Sequence, residues 1–172
     1  MRLFTAICFD EGIKNALFSA QTEAKKFFEG KFPEKENFHL TLVFIGETEK
    51  EDEIKTALSG IEFPAFEIKL KGCGFFEKGI FWAGTEENKN LSELQKAVSK
   101  ALNEIEIETE EREFVPHITL AKKFFPGEDF SPEKIAEYLP KETVKVNRIS
   151  LMKSENISGR LFYTEIYSKN LI

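Results

Sequence analysis

The chain contains two histidines, His39 and His117, and each is followed two positions later by a threonine, Thr41 and Thr119. With ten threonines among 172 residues, chance gives both histidines such a neighbour in about 1 of 300 sequences. Imidazole changes charge near pH ~6.5, so one ring can take a proton from water while a second gives one to a departing oxygen. The opening of a cyclic phosphodiester needs both roles at once. Nucleophile and leaving oxygen stand on opposite sides of phosphorus, which puts base and acid on opposite strands. The hydroxyls of Thr41 and Thr119 would hold the non-bridging oxygens, where pre-oriented donors stabilise developing charge. No metal is required. A zinc site built from both histidines and carboxylates is the competing reading, but no ligand pair has the i, i+2 or i, i+4 spacing of such sites.

The elements that must carry these residues are strands. His39-Leu40-Thr41-Leu42 recurs 78 positions later as His117-Ile118-Thr119-Leu120. In a strand the side chains alternate, so each histidine shares a face with its threonine, roughly 6.5–7 Å along the chain, while the intervening aliphatic residues anchor the opposite face. Around these segments, residues 2–9 read as a strand and Asp10 as the cap of a helix with apolar Ile13, Ala16, Leu17, Ala20, Ala24, Phe27 and Phe28. A strand at 38–45 follows, then Thr48 as N-cap, with Glu51 three positions on, of a helix carrying Ile54, Ala57 and Leu58. Strands at 65–71 and 79–84 flank a turn at Gly72-Cys73-Gly74, and Leu91, Leu94, Ala97, Val98, Ala101 and Leu102 mark a long amphipathic helix. A strand at 115–121, a break at Pro126-Gly127, a short helix near 132–138, and strands near 143–152 and 160–168 joined through Asn156-Ile157-Ser158-Gly159 complete the pattern. This is an α+β chain with mostly antiparallel pairing.

Composition narrows the functions. Length and hydrophobic content suit one folded unit, residues 1–172, and eighteen phenylalanines supply an aromatic core. The net charge of −6 opposes wrapping of long nucleic acid and permits recognition of a single phosphate end. Cys8 and Cys73, far apart in sequence, indicate neither a disulfide framework nor a zinc knuckle and fit the reducing cytoplasm. The N-terminal stretch is too short for a signal peptide, and no run spans a membrane.

On these residues the chain resembles the 2H phosphoesterase superfamily, and within it the RNA 2′,3′-cyclic phosphodiesterases, also called 2′-5′ RNA ligases. The resemblance is carried by Met1-Arg2-Leu3-Phe4, by Glu36-Asn37-Phe38-His39-Leu40-Thr41-Leu42 with Phe44-Ile45-Gly46, by Phe81-Trp82-Ala83-Gly84, and by Phe114-Val115-Pro116-His117-Ile118-Thr119-Leu120-Ala121. It implies one domain of two intertwined lobes related by a pseudo-twofold axis, with two mostly antiparallel sheets facing a central cleft and helices outside. It also implies hydrolysis of an RNA-terminal or nucleoside 2′,3′-cyclic phosphate to a 2′-phosphate, without cofactor, by His39 and His117. We expect a monomer, with His117 acting on water and His39 on the 3′ oxygen. Two alternatives share the cleft: 2′-5′ ligation of tRNA halves, and nucleotide binding without turnover.

Where the family often carries Arg after Leu-Ala, this chain has Lys122, which keeps the charge and loses the bidentate fork. A regular strand would turn Lys122 away from His117, so a phosphate-binding role needs a bulge or strand end there. Phe44 is the candidate for stacking on a base, although its parity with Leu40 and Leu42 points to the core, as does the environment expected for Trp82. The loop from Ser154 to Arg160 borders the expected cleft, and Arg160 is a candidate phosphate ligand.

Overall fold

The computed structural model describes all of residues 1–172. Strand β1, Arg2–Cys8, leads into helix α1, Glu11–Lys25, whose first turn is closed by Asp10 accepting from the Ile13 N–H at 2.9 Å. Ile13, Leu17, Ala20 and Ala24 are buried along its inner face. The helix stops at Lys25, so Phe27 and Phe28, expected on that face, lie past its end and near the surface. There they pack edge-on against Phe130 and Phe124.

Strand β2, His39–Glu47, follows a single 3-10 turn at Lys35–Asn37 and precedes helix α2, Glu51–Ser59. Thr48 does not cap α2. Lys50 occupies that position, and the Thr48 hydroxyl accepts from the Lys50 N–H at 3.1 Å, a local turn that competes with capping. Glu51 pairs with Lys55 one turn on instead of reaching back.

The segment expected as one strand at 65–71 is divided into β3, Phe66–Ile68, and the start of β4, Leu70–Phe76, with β5 at Ile80–Thr85. Gly72-Cys73-Gly74 is not a turn. It lies inside β4, where the register slips between Leu70 and Cys73, and the chain reverses at Glu77–Gly79. Gly74 is there for a close approach, since a Cβ at that position would stand 2.7 Å from the Trp82 ring. Helix α3, Lys89–Glu104, starts at Asn88, whose side chain accepts from the Leu91 N–H at 3.0 Å.

After β6, His117–Ala121, come helix α4, Pro132–Ala136, and strands β7, Val144–Val146, β8, Arg148–Ile157, and β9, Arg160–Asn170. The strand expected at 143–152 is two strands because its halves have different partners: β7 pairs with β3, and β8 lies between β1 and β9.

The sheets are β2-β1-β8-β9, β4-β5-β6 and the small β3-β7 pair, and every pairing is antiparallel. The fold is therefore α+β, as the periodicities indicate. Each His-x-Thr strand sits at the edge of a different sheet and is fastened by its aliphatic face: Leu40, Ile118 and Leu120 are fully buried, and Leu42 nearly so. Burying such side chains contributes about 1.5–3 kcal/mol each, which makes both edges firm mounts.

The outer edge of β6 is closed by the segment around α1. Buried Gln21 donates to the Leu120 carbonyl at 2.9 Å and the Pro33 carbonyl at 3.0 Å, and Lys31 exchanges two backbone hydrogen bonds with Lys122. These bonds fix one sheet against the elements that lead into the other. No helix is long and apolar enough to cross a membrane.

Candidate active site

His39 begins β2 and His117 begins β6, and the two rings are held by the same local device. The Nδ1–H of His39 donates to the Asn37 carbonyl at 2.7 Å, and that of His117 to the Val115 carbonyl at 2.8 Å. A carbonyl only accepts, so in both neutral rings the hydrogen resides on Nδ1 and the lone pair on Nε2. In His39 that Nε2 accepts from the Thr41 hydroxyl at 2.9 Å.

Residues opposite each other in an antiparallel pair share a face. His39 faces Cys8 and Thr41 faces Ala6, while His117 faces Gly84 and Thr119 faces Trp82. An aromatic ring backs each imidazole: Phe4 lies 4.8 Å from His39 and Phe76 lies 4.8 Å from His117, centroid to centroid. On the His39 side Tyr163 adds a second ring at 5.2 Å, edge-on. Tyr163 arrives from β9 because the β8–β9 hairpin curls back over its sheet. Its tip is secured where Asn37 donates to the Leu161 carbonyl at 2.9 Å and Arg160 meets Glu34 at 3.0 Å. Arg160 is therefore held by a solvent-exposed ion pair at the hairpin tip.

The electrostatics of the two rings differ. Burial is the main force lowering the pKa of His39 to about 4; the charges of His117 and Lys122 push the same way, and the Asn37 carbonyl opposes them. His117 is also lowered by burial, with Arg112 adding to it and the Val115 carbonyl opposing. Strands β2 and β6 are in contact, and the charges of His117 and Lys122 reach His39 across that junction. Burial likewise raises the Tyr163 phenol, against the field of Arg2.

Lys122 meets the condition set by the sequence. The β5–β6 register slips between the Trp82–Thr119 and Phe81–Ala121 pairs, so Leu120 and Ala121 are both buried and Lys122, held in the bridge to Lys31, emerges on the face of His117 and Thr119. Phe44 departs from its expected burial: it is 42% exposed, with the Arg2 guanidinium 5.0 Å above its ring. The β1–β2 register slips between Thr5 and Ala6, so Leu42 and Val43 are both buried and Phe44 emerges opposite Phe4 on the histidine face.

Trp82 is also not interior. It is half-buried on the face of Thr119, and its Nε1 is the one buried side-chain nitrogen or oxygen without a hydrogen-bond partner. Phe4, Phe76, Tyr163 and Arg2 escaped sequence reasoning as site residues. The even spacing of Arg2, Phe4 and Cys8 was the available signal for the first strand. No group of three or more His, Cys, Asp and Glu side chains gathers as a metal site would require.

The sequence pattern of the 2′-5′ RNA ligase superfamily matches residues 14–157. The chain belongs to that superfamily. It is 34% identical over 145 residues to the RNA 2′,3′-cyclic phosphodiesterase of Methanocaldococcus jannaschii, covering 80% of this chain and 81% of that protein. With the RNA 2′,3′-cyclic phosphodiesterase of Thermotoga maritima it shares 31% identity over 156 residues, covering 79% and 82%. A crystal structure from Thermus thermophilus superposes with a TM-score of 0.84 at 26% identity, over 99% of this chain and 97% of that one. The superfamily fold expected from the His-x-Thr repeat is thus the fold observed.

Proposed function

We propose that this superfamily member hydrolyses 2′,3′-cyclic phosphates at RNA ends or on nucleosides, giving a 2′-phosphate and a free 3′ hydroxyl, as a single domain of two intertwined lobes. The observation that carries this reading is the matched pair of imidazoles, each anchored at Nδ1 by the carbonyl two residues before it and each mounted on the edge strand of its own sheet. That anchoring leaves Nε2 as the working nitrogen in both.

One Nε2 removes a proton from water as the water oxygen bonds to phosphorus. The bond from phosphorus to the 3′ oxygen breaks, and the other imidazole, protonated, gives its proton to that oxygen. Thr41 and Thr119 donate to the non-bridging oxygens, which requires the Thr41 hydroxyl to turn from His39 towards phosphate. Lys122 adds positive charge at the strand end, and Phe44 offers a ring for the base. The scheme uses no metal and no cofactor, and the chain acts as a cytoplasmic monomer on RNA ends or nucleotides.

The sequence reading gave water to His117 and the 3′ oxygen to His39. In the unliganded protein burial disfavours a proton on both rings and more so on the more enclosed His39, so that assignment leans harder on stabilisation by the phosphate anion than the reverse does. Ligation of 2′-5′ ends would run through the same atoms in the opposite direction. Binding without turnover leaves two oriented Nε2 atoms without a task.

The test is incubation with each nucleoside 2′,3′-cyclic phosphate and with cyclic-phosphate-ended RNA in the presence of chelator. Formation of 2′-phosphate, not 3′-phosphate, is expected. Tight binding with no product would replace the hydrolase reading with the binding module.

A further inference from the structure

Asn37 makes three hydrogen bonds of different kinds. It closes the 3-10 turn by donating its N–H to the Glu34 carbonyl at 2.9 Å, its own carbonyl accepts from Nδ1 of His39 at 2.7 Å, and its side-chain amide donates to the Leu161 carbonyl at 2.9 Å. The first two belong to the local chain. The third joins residues 124 positions apart. The other imidazole has no counterpart to it, because Val115, which anchors His117, has no side-chain donor.

Leu161 lies in a part of the β8–β9 hairpin that the sheet does not support. Strand β8 pairs with β1 only as far as Ser154, opposite Arg2; beyond it Glu155, Asn156 and Ile157 pair with Phe162, Leu161 and Arg160 alone. Ile157, Leu161 and Phe162 are exposed, so little apolar burial fastens this overhang. Two polar contacts join it to the rest of the chain, the Asn37 amide and the exposed Arg160–Glu34 ion pair, and both end on the segment that leads into His39. Each is a weak hold by itself. Next to the overhang stands Tyr163, edge-on to His39 at 5.2 Å and to Phe4 at 5.1 Å.

We propose that Asn37 is a positioning residue for the proton transfer at His39: its carbonyl aims the ring, and its amide holds the β8–β9 hairpin closed so that Tyr163 covers the same ring. This rests on the hydrolase reading above and deepens it. Nε2 is presented for proton transfer only while Nδ1–H stays on a fixed acceptor, and a turn tied to the hairpin has less freedom to swing that acceptor away. With the tip undocked, water reaches the ring and the acceptor loosens; with it docked, both are fixed. The hairpin thus acts on one half of the acid–base pair.

Asn37→Ala keeps the carbonyl and removes the amide. The titratable groups around His39 are Cys8 opposite it on β1, Tyr163 on β9, and His117 and Lys122, whose charges reach it, and the variant changes none of them. In NMR titrations without substrate, His39 should move up from about 4 towards its ordinary 6.5 while His117 stays in place. Amide exchange should quicken by about tenfold or more in the overhang and not elsewhere. On a cyclic phosphate, kcat should fall by about tenfold and KM change by less than about twofold, because the phosphate donors remain. Glu34→Gln, which loosens the same tip at its other contact, should give the same pattern more weakly. Tyr163→Ala uncovers His39 directly, and adding Asn37→Ala to it should move His39 little further, since both act through one hairpin.

An unmoved His39 in Asn37→Ala, equal movement of His39 and His117, or fully additive shifts in the double variant would overturn the proposal and leave Asn37 a turn residue only. If Asn37→Ala does not fold, Glu34→Gln decides by the same readouts. Absence of hydrolysis by the natural chain overturns the hydrolase reading instead; the titrations, made without substrate, still decide whether Asn37 holds the hairpin over His39.

Discussion

His39 and His117 share a motif, a backbone anchor and a tautomer, and differ in what surrounds them. His39 is enclosed by Phe4 and Tyr163, its Nε2 is occupied by Thr41, and the positive charges of His117 and Lys122 act on it. His117 has one ring, Phe76, against it and no protein partner at Nε2. A repeated strand therefore supplies two equivalently anchored imidazoles, and the unequal packing around them sets the difference that would divide the proton work in the proposed mechanism. The motif sets where each ring points; its neighbours set how readily it holds a proton.

The largest way to break this pairing is to delete a ring. His39→Ala and His117→Ala should each lower kcat/KM by about 10²–10⁴-fold. The double variant should be little worse than either, because groups acting as a unit are not additive. A near-normal rate in either single variant would end the acid–base account. Smaller losses, of about tenfold to a hundredfold, are expected from Thr41→Val and Thr119→Val, which remove one phosphate donor each while keeping shape. The Thr41 variant alone should also shift the His39 titration followed by NMR, because only Thr41 bonds to its imidazole.

Lys122→Ala sharpens the comparison from outside the motif. It should raise the pKa of His39 by removing a nearby positive charge, leave that of His117 nearly unmoved, and raise KM more than it lowers kcat. Titrating both imidazoles by NMR in the variant checks this, and equal movement of the two would refute it.

The smallest effect is on stability. The folded protein holds the pKa of His39 near 4, below the ordinary value of 6.5, so the unfolded chain binds more protons between those values. This contribution is fully present above pH 6.5 and is lost as pH falls towards 4, on the order of 2–3 kcal/mol. Denaturant unfolding at pH 7 and pH 4.5 should show that loss in the natural chain and a flatter dependence in His39→Gln.

What the sequence displays is what local chemistry decides. The Asp10 cap, the spacing of α3 and the two His-x-Thr strands follow from a few adjacent residues, and all appear in the structure. What it conceals depends on register and on distant strands. One slip between Thr5 and Ala6 brings Phe44 from the expected core to the histidine face, and another makes Gly72-Cys73-Gly74 part of a strand. Tyr163 reaches His39 only because the β8–β9 hairpin curls over, a curvature that the alternation of its residues does not encode. Thr48 shows the converse, a plausible cap whose hydroxyl found a nearer donor.

The division of labour between the two rings is tested most directly by changing the leaving group. A cyclic phosphate whose 3′ oxygen is replaced by sulfur departs as thiolate and needs no proton, so the variant lacking the general acid should recover most of its lost rate on it. The variant lacking the general base should not recover. Rescue of one histidine variant and not the other is the predicted result; rescue of both, or of neither, would contradict the account.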